Sequence, residues 1–285
     1  MKTILITGAN GQLGNEMRLL AAAHPEYRYV FTDVAELDIC NEEAVEQCVA
    51  GNEVDIIVNC AAYTAVDKAE DDSELADRLN HLAPGYLARA VQRRGGSLIQ
   101  VSTDYVFDGT AHRPYTEEEP TCPVSVYGRT KLAGEQEAMA GCASTMVIRT
   151  AWLYSTFGNN FVKTMLRLGR ERDSLGVIFD QVGTPTYARD LAAVIFAAIG
   201  KGIVPGIYHF SNEGVCSWYD FTQMIHRLAG IDGCKLRPLH TEEYPTRAVR
   251  PHYSVLDKAK IRETYGVEIP YWVDSLEDCL KKLLA

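Results

Sequence analysis

Tyr127 and Lys131 stand four residues apart in Tyr127-Gly128-Arg129-Thr130-Lys131, a spacing that puts both on one side of a helix. A free phenol titrates near ~10, too high for efficient proton transfer at neutral pH. An ammonium beside it favours the phenolate and makes the hydroxyl a usable proton relay. Upstream, Ser102-Thr103-Asp104-Tyr105 closes an apolar run, and its hydroxyls can orient a substrate carbonyl. The chemistry these residues serve is proton transfer at a carbonyl or alcohol oxygen. A Tyr-x-x-x-Lys pair is common on helix surfaces, so its weight comes from what lies at the start of the chain.

There, Thr3–Thr7 runs directly into Gly8-Ala9-Asn10-Gly11-Gln12-Leu13-Gly14. One glycine allows a tight strand-to-helix turn, one lets the backbone approach a pyrophosphate, and one lets helix and strand pack closely. The phosphates then face free N–H groups at the positive end of the helix. Gly8, Asn10, Gly11, Gln12, Leu13 and Gly14 are therefore expected to cradle a dinucleotide. Asp33 follows the next strand, 19 residues after Gly14. An acid there accepts hydrogen bonds from the adenosine ribose diol and repels a 2′-phosphate, which favours NADH over NADPH on charge grounds. Asp38 and Ile39 are expected to flank the adenine, with Ala61, Ala62 and Tyr63 lining the cofactor's path.

The elements that must position these residues alternate. Strands are expected at Thr3–Thr7, Tyr29–Thr32, Asp55–Asn59, Leu98–Ser102 and Thr145–Arg149. Helices are expected at Gln12–Ala23, Asn41–Val49, Ser73–Gln92 and Lys131–Ala140. Several strands are apolar throughout, as strands covered on both faces are. This rhythm specifies an α/β chain with a Rossmann-like, doubly wound parallel sheet. Beyond Arg149 it loosens: helices at Asn159–Arg170, Arg189–Ile199 and Ser217–Ala229, short strands at Val177–Phe179 and Ile207–Phe210, and three prolines between 238 and 251. We divide the chain into a cofactor domain, 1–150, and a smaller substrate-binding lobe, 151–285, with the segment at about 176–200 returning to the first domain.

The balance of 28 Lys plus Arg against 38 Asp plus Glu gives a net charge of −10, which argues against nucleic acid or an anionic membrane surface as partners. No apolar run approaches the ~18 residues of a membrane span, and the start lacks a secretory signal pattern. Eight cysteines are scattered without a C-x-x-C pair, so reduced thiols in a cytoplasmic protein are expected, with no metal site.

The glycine loop, the hydroxyls after the fourth strand and the Tyr127/Lys131 pair resemble the short-chain dehydrogenase/reductase superfamily in its extended, nucleotide-sugar branch. Asn80 falls where that superfamily often places a structural Asn. A narrower likeness runs through VNCAAYTAVDKAE (Val58–Glu70), VSTDYVFDG (Val101–Gly109), YGRTKLAGE (Tyr127–Glu135), RTAWLY (Arg149–Tyr154), GNNFV (Gly158–Val162), DQVGTPT (Asp180–Thr186) and RPHYSVLDKAK (Arg250–Lys260). Together these resemble the dTDP-4-dehydrorhamnose reductase family. The resemblance implies NADH- or NADPH-dependent reduction of the C4 ketone of dTDP-4-dehydro-L-rhamnose. It implies that Tyr127 donates the proton, Lys131 holds the nicotinamide ribose and tunes Tyr127, and Thr103 bonds the carbonyl. Asp104, Tyr105 and Trp152 would contact the sugar and its nucleotide, and Arg250 a phosphate, a pairing that suits its planar fork.

Some relatives are bridged as dimers by magnesium through acidic side chains. Glu16 and Asp190 are present here, but Arg189 puts a cation where a further acid would sit. We therefore expect no structural magnesium and a monomer or weak homodimer. Two other readings share the fold: a non-catalytic regulatory subunit of the methionine adenosyltransferase type, and an epimerase or dehydratase on another nucleotide sugar. Intact Tyr127, Lys131 and Thr103 weigh against the first. The absence of Glu after Asp104 weighs against the dehydratases.

Overall fold

Thr3–Thr7 (β1) is buried at all five positions, and its side chains alternate between two cores as a pleated strand requires. Ile4 and Ile6 enter one core and Leu5 the other. The computed structural model describes residues 1–285. Beside β1 run Arg28–Phe31 (β2), Ile56–Asn59 (β3), Ser97–Thr103 (β4) and Thr145–Thr150 (β5). Beyond these lie Ser174–Ile178 (β6), Gly206–His209 (β7) and Lys235–Leu239 (β8).

Six strands form one parallel sheet in the order β7-β5-β4-β3-β1-β2. The chain leaves β1 for β2 on one side and returns to β3 on the other. The carboxyl ends of β1 and β3 therefore form the crevice where such sheets bind ligands. Gly206–His209, which lies far along the chain, is the edge strand of this sheet, paired with β5. β6 and β8 pair separately in parallel.

Gln12–Ala21 (α1) packs one sheet face together with Ala188–Lys201 (α8), through Met17, Leu191 and Ile195. Glu42–Gly51 (α2) and Ala83–Arg93 (α5) cover the other through Val45, Leu87 and Val91. Asn41 caps α2 by accepting from the Ala44 N–H. A third core joins Tyr154, Val162, Phe221, Ile225, Trp272 and Leu276, from Phe161–Glu171 (α7), Trp218–Leu228 (α9) and Trp272–Leu284 (α11).

The helix expected over 73–92 runs without a gap from Ser73 to Arg93, with a π-turn inside it. Val66–Ala69 (α3) and Ser73–Asp77 (α4) lead into a π-turn, Arg78–Leu82, and only then into α5. The cause is visible in the next helix, Val126–Gly141 (α6): a Cβ at Gly134 would lie 1.9 Å from the Asn80 carbonyl oxygen. α6 also begins five residues before the expected Lys131, because Ser125 caps it by accepting from the Gly128 N–H at 3.1 Å. Tyr127 thereby enters the first helical turn. Ala259–Tyr265 (α10) and α11 were not anticipated; α10 is short and ends at Gly266 in the left-handed region. No helix is long and apolar enough to cross a membrane.

Candidate active site

Gly8 turns the chain out of β1 at φ +60, and a Cβ there would meet the Ala61 nitrogen at 2.7 Å. A Cβ at Gly14 would lie 2.4 Å from the Gly8 oxygen. The two crevice loops are thus packed backbone to backbone, which only glycine permits. Helices α2, α6, α7 and α9 are capped by the side chains of Asn41, Ser125, Asn160 and Ser217, whereas α1 begins at Gly11 with no side-chain cap. The first-turn N–H groups of α1 are left for an anion. Asp33 sits beside this loop, its Oδ2 accepting from the Asn10 N–H at 2.9 Å.

The other expected cofactor residues divide. Leu13 is core, and the Gln12 side-chain Oε1 accepts from Asn160 Nδ2 at 3.0 Å, joining the loop to residues 158–160. Asp38 is exposed and closes its own turn on the Cys40 N–H. Ile39 is packed in the core, 4% exposed, and offers no open face to an adenine. Ala61, Ala62 and Tyr63 follow β3 at the crevice and are partly exposed. Asn80, on the π-turn, fixes this loop: its Oδ1 accepts from the Tyr63 N–H at 2.8 Å and its Nδ2 donates to the Tyr63 carbonyl at 3.0 Å.

The first turn of α6 lies on the turn after β4. A Cβ at Gly128 would lie 2.2 Å from the Tyr105 oxygen, and the Tyr105 and Tyr127 rings meet edge to face at 5.4 Å. Thr103 and Asp104 are buried beneath. The Thr103 hydroxyl donates to Asp104 Oδ1 at 2.8 Å and accepts from the Tyr105 N–H at 3.2 Å. Burial pushes the Asp104 carboxyl up to about 6, with Thr103 opposing the shift. Burial also pushes the Tyr127 phenol up to about 12, a hydrogen bond with Thr103 opposing it and the Asp104 charge adding to it.

Lys131 is 4% exposed and donates from Nζ to the Val101 carbonyl at 2.7 Å. Burial brings its ammonium down to about 8, with Glu135 pulling the other way. The ammonium is directed at β4 and Glu135, and the phenol's shift is set by burial, Thr103 and Asp104 instead. The spacing argument therefore places both groups on one helix face but misjudges which neighbours set the phenol. Sequence reasoning also passed over Glu135 and Arg149, which are 2% exposed each and bonded at 2.7–3.2 Å, with Ser102 donating to the same carboxylate. This pair ties α6 to β4 and β5 under the site. The signal was Glu135 four residues after Lys131, on the same helix face.

Trp152 adopts φ +49, rare for a bulky residue. It stacks on Trp218 at 3.5 Å and 11°, and a Cβ at Gly183 would lie 2.8 Å from its ring. The partner of Arg250 is a carboxylate rather than the expected phosphate: its two terminal nitrogens donate to Asp67 at 3.0 and 2.7 Å. Glu16 accepts from Ser155, and Asp190 from Asn212 and Ser275.

The family model described as the RmlD substrate binding domain matches residues 1–285. The dTDP-4-dehydrorhamnose reductase of Escherichia coli is 41% identical over 98% of this chain and 97% of its own length. That of Aggregatibacter actinomycetemcomitans is 39% identical over 98% of each. A crystal structure of a dTDP-4-dehydrorhamnose reductase from Clostridium acetobutylicum superposes with a TM-score of 0.95 at 44% identity, covering 99% of this chain and all (100%) of that one. One from Bacillus anthracis, in complex with NADP, gives 0.95 at 40%, with the same coverage. A dTDP-glucose 4,6-dehydratase from Bacillus anthracis gives 0.83 at 19% and shares the fold alone. The chain belongs to the dTDP-4-dehydrorhamnose reductase family.

Proposed function

We propose that this protein reduces the C4 ketone of dTDP-4-dehydro-L-rhamnose to dTDP-L-rhamnose with NADH or NADPH. The observation that carries the reading is Thr103, Tyr127 and Lys131 at the carboxyl edge of the sheet, with the uncapped start of α1 at the same edge. The dinucleotide fits there because Gly11, at the start of α1, puts no side chain over the free N–H groups and Asp33 stands at the loop's margin. Bound there, the nicotinamide supplies a hydride, the electron pair of the new C–H bond.

The remaining chemistry belongs to this chain. The Tyr127 phenol gives its proton to the C4 oxygen, and Thr103 orients that oxygen by hydrogen bonding. Lys131, anchored on the Val101 carbonyl, holds the nicotinamide ribose. Tyr105 and Trp152 line the sugar side, and the diphosphate draws Arg250 away from Asp67. Residues 1–150, with α8 and β7 returning to their sheet rather than the whole of 176–200, hold the cofactor, and the remainder of 151–285 holds the sugar nucleotide. The protein works in the cytoplasm as a monomer or weak homodimer.

The test is oxidation of NADH and NADPH with a panel of 4-keto sugar nucleotides, with the product identified by NMR. Stereospecific formation of dTDP-L-rhamnose is expected. Turnover with none of the panel, under either cofactor, would overturn the reading.

A further inference from the structure

The Thr103 hydroxyl has one proton and two lone pairs, and three neighbours compete for them. It accepts from the Tyr105 N–H at 3.2 Å, donates to Asp104 Oδ1 at 2.8 Å, and is the neighbouring hydroxyl that favours the Tyr127 phenolate. When Asp104 is a carboxylate, Thr103 must spend its proton on Asp104 and can only accept from the phenol. That polarity points away from the substrate. When Asp104 is a neutral acid, its O–H donates to Thr103, and the Thr103 proton is free for the C4 oxygen and, once the phenol has given up its own proton, for the phenolate.

The surroundings favour the second arrangement. Asp104 is 2% exposed; the Thr103 and Ser254 hydroxyls favour its carboxylate, but burial outweighs them, and its Oδ2 makes no well-formed hydrogen bond. Leaving a carboxylate oxygen so unsatisfied costs more than leaving the neutral acid. The titratable groups facing Asp104 are Tyr105 on its own turn and Tyr127 from α6. The Arg250–Asp67 pair acts on Tyr105 from the 245–251 segment and α3. No cation is bonded to the Asp104 carboxylate.

We propose that Asp104 is a proton-holding positioning residue that reprotonates Tyr127 through Thr103. The inference rests on the ketone-reduction reading above. Once the phenol O–H bond has broken and its proton has formed the new O–H at C4, the Thr103 proton passes to the phenolate. The Asp104 proton then passes to Thr103, so tyrosine and threonine are restored and Asp104 is left as a carboxylate. Water returns one proton to Asp104 before the next turnover.

Infrared spectroscopy of the ligand-free protein reads the acid directly. In the difference between the wild type and Asp104→Asn, a protonated-carboxyl band is expected at pH 5, disappearing as pH rises through about 6. In steady-state kinetics, kcat of the wild type should carry an inflection near the same pH. Asp104→Asn and Thr103→Val should both lose the inflection and at least ~10-fold in kcat, with NADH affinity unchanged, while Thr103→Ser keeps the inflection. Circular dichroism checks that each variant folds, and Thr103→Val carries the test if Asp104→Asn does not. Turnover by the wild type with an unchanged Asp104→Asn profile, or no band at pH 5, overturns the relay alone. No turnover by the wild type overturns the reduction reading and the relay together.

Discussion

Arg250 and Asp67, 183 residues apart in sequence, are joined by two parallel hydrogen bonds of 3.0 and 2.7 Å, and Asp67 also accepts from the Ala248 N–H. Arg247 adds a single ion pair with Asp71. The 245–251 segment is thereby pinned to α3, which follows the crevice loop. Asp67 occupies the Arg250 guanidinium in the geometry a diphosphate would use.

If a diphosphate competes with Asp67, Asp67→Ala should lower KM for the nucleotide sugar and Arg250→Lys should raise it ~10-fold or more, with kcat little changed. A fork of charge-assisted hydrogen bonds contributes about 1.5–3 kcal/mol that a point charge does not reproduce. Folding stability should change by less than ~1 kcal/mol, because the pair is partly exposed. Unchanged KM in Arg250→Lys would place the diphosphate elsewhere.

Tyr127→Phe removes the proton and keeps the ring that packs on Tyr105. Turnover should fall ~100-fold or more, while NADH binding, followed by fluorescence, stays within about twofold. Near-normal kcat would remove Tyr127 from the proton path.

Asp33, the acid proposed to read the ribose, also holds the Asn10 N–H. Asp33→Asn keeps an acceptor for Asn10 and removes the charge. The ratio of kcat/KM for NADPH to that for NADH should rise by about tenfold, and a fixed ratio would show that Asp33 does not read the ribose.

The sheet strands were legible because period and composition are local: β1 is found at the expected residues, and β2 to β5 within one or two. Tyr127, Lys131 and Thr103 were legible as spacing. What was hidden depends on contacts distant in sequence. The π-turn at 78–82 exists because Gly134, on another helix, admits the Asn80 carbonyl. Arg250 meets Asp67 only through the tertiary fold, and the neighbours that shift the Tyr127 phenol come from a different strand end.

The Glu135–Arg149 pair should behave as a buried ion pair. Arg149→Met leaves a carboxylate 2% exposed without its cation and should destabilise by about 3–5 kcal/mol. Adding Glu135→Leu to it should recover part of that loss, seen as a rise in Tm relative to Arg149→Met. A further fall in the double variant would mean that the carboxylate mainly serves Ser102, which donates to it.

Asp104 and His209 give opposite pH signatures. Burial holds His209 down to about 3 from 6.5, so the unfolded chain takes up a proton that the native state refuses, and stability falls as pH drops below 6.5. Asp104 is raised from 3.8 to about 6. Its contribution is fully present below 3.8 and is lost as pH rises through about 6, reaching a cost of about 3 kcal/mol for the 2.2-unit shift at 1.36 kcal/mol each. Subtracting Asp104→Asn from the wild type cancels His209, which both share. The variant should therefore be more stable by about 1–3 kcal/mol at pH 7, the low end allowing for the unpartnered amide, and this gap should close as pH falls from 6 to 4. Urea unfolding at pH 4, 5, 6 and 7 measures it; a gap independent of pH would mean that Asp104 titrates alike in the folded and unfolded chain.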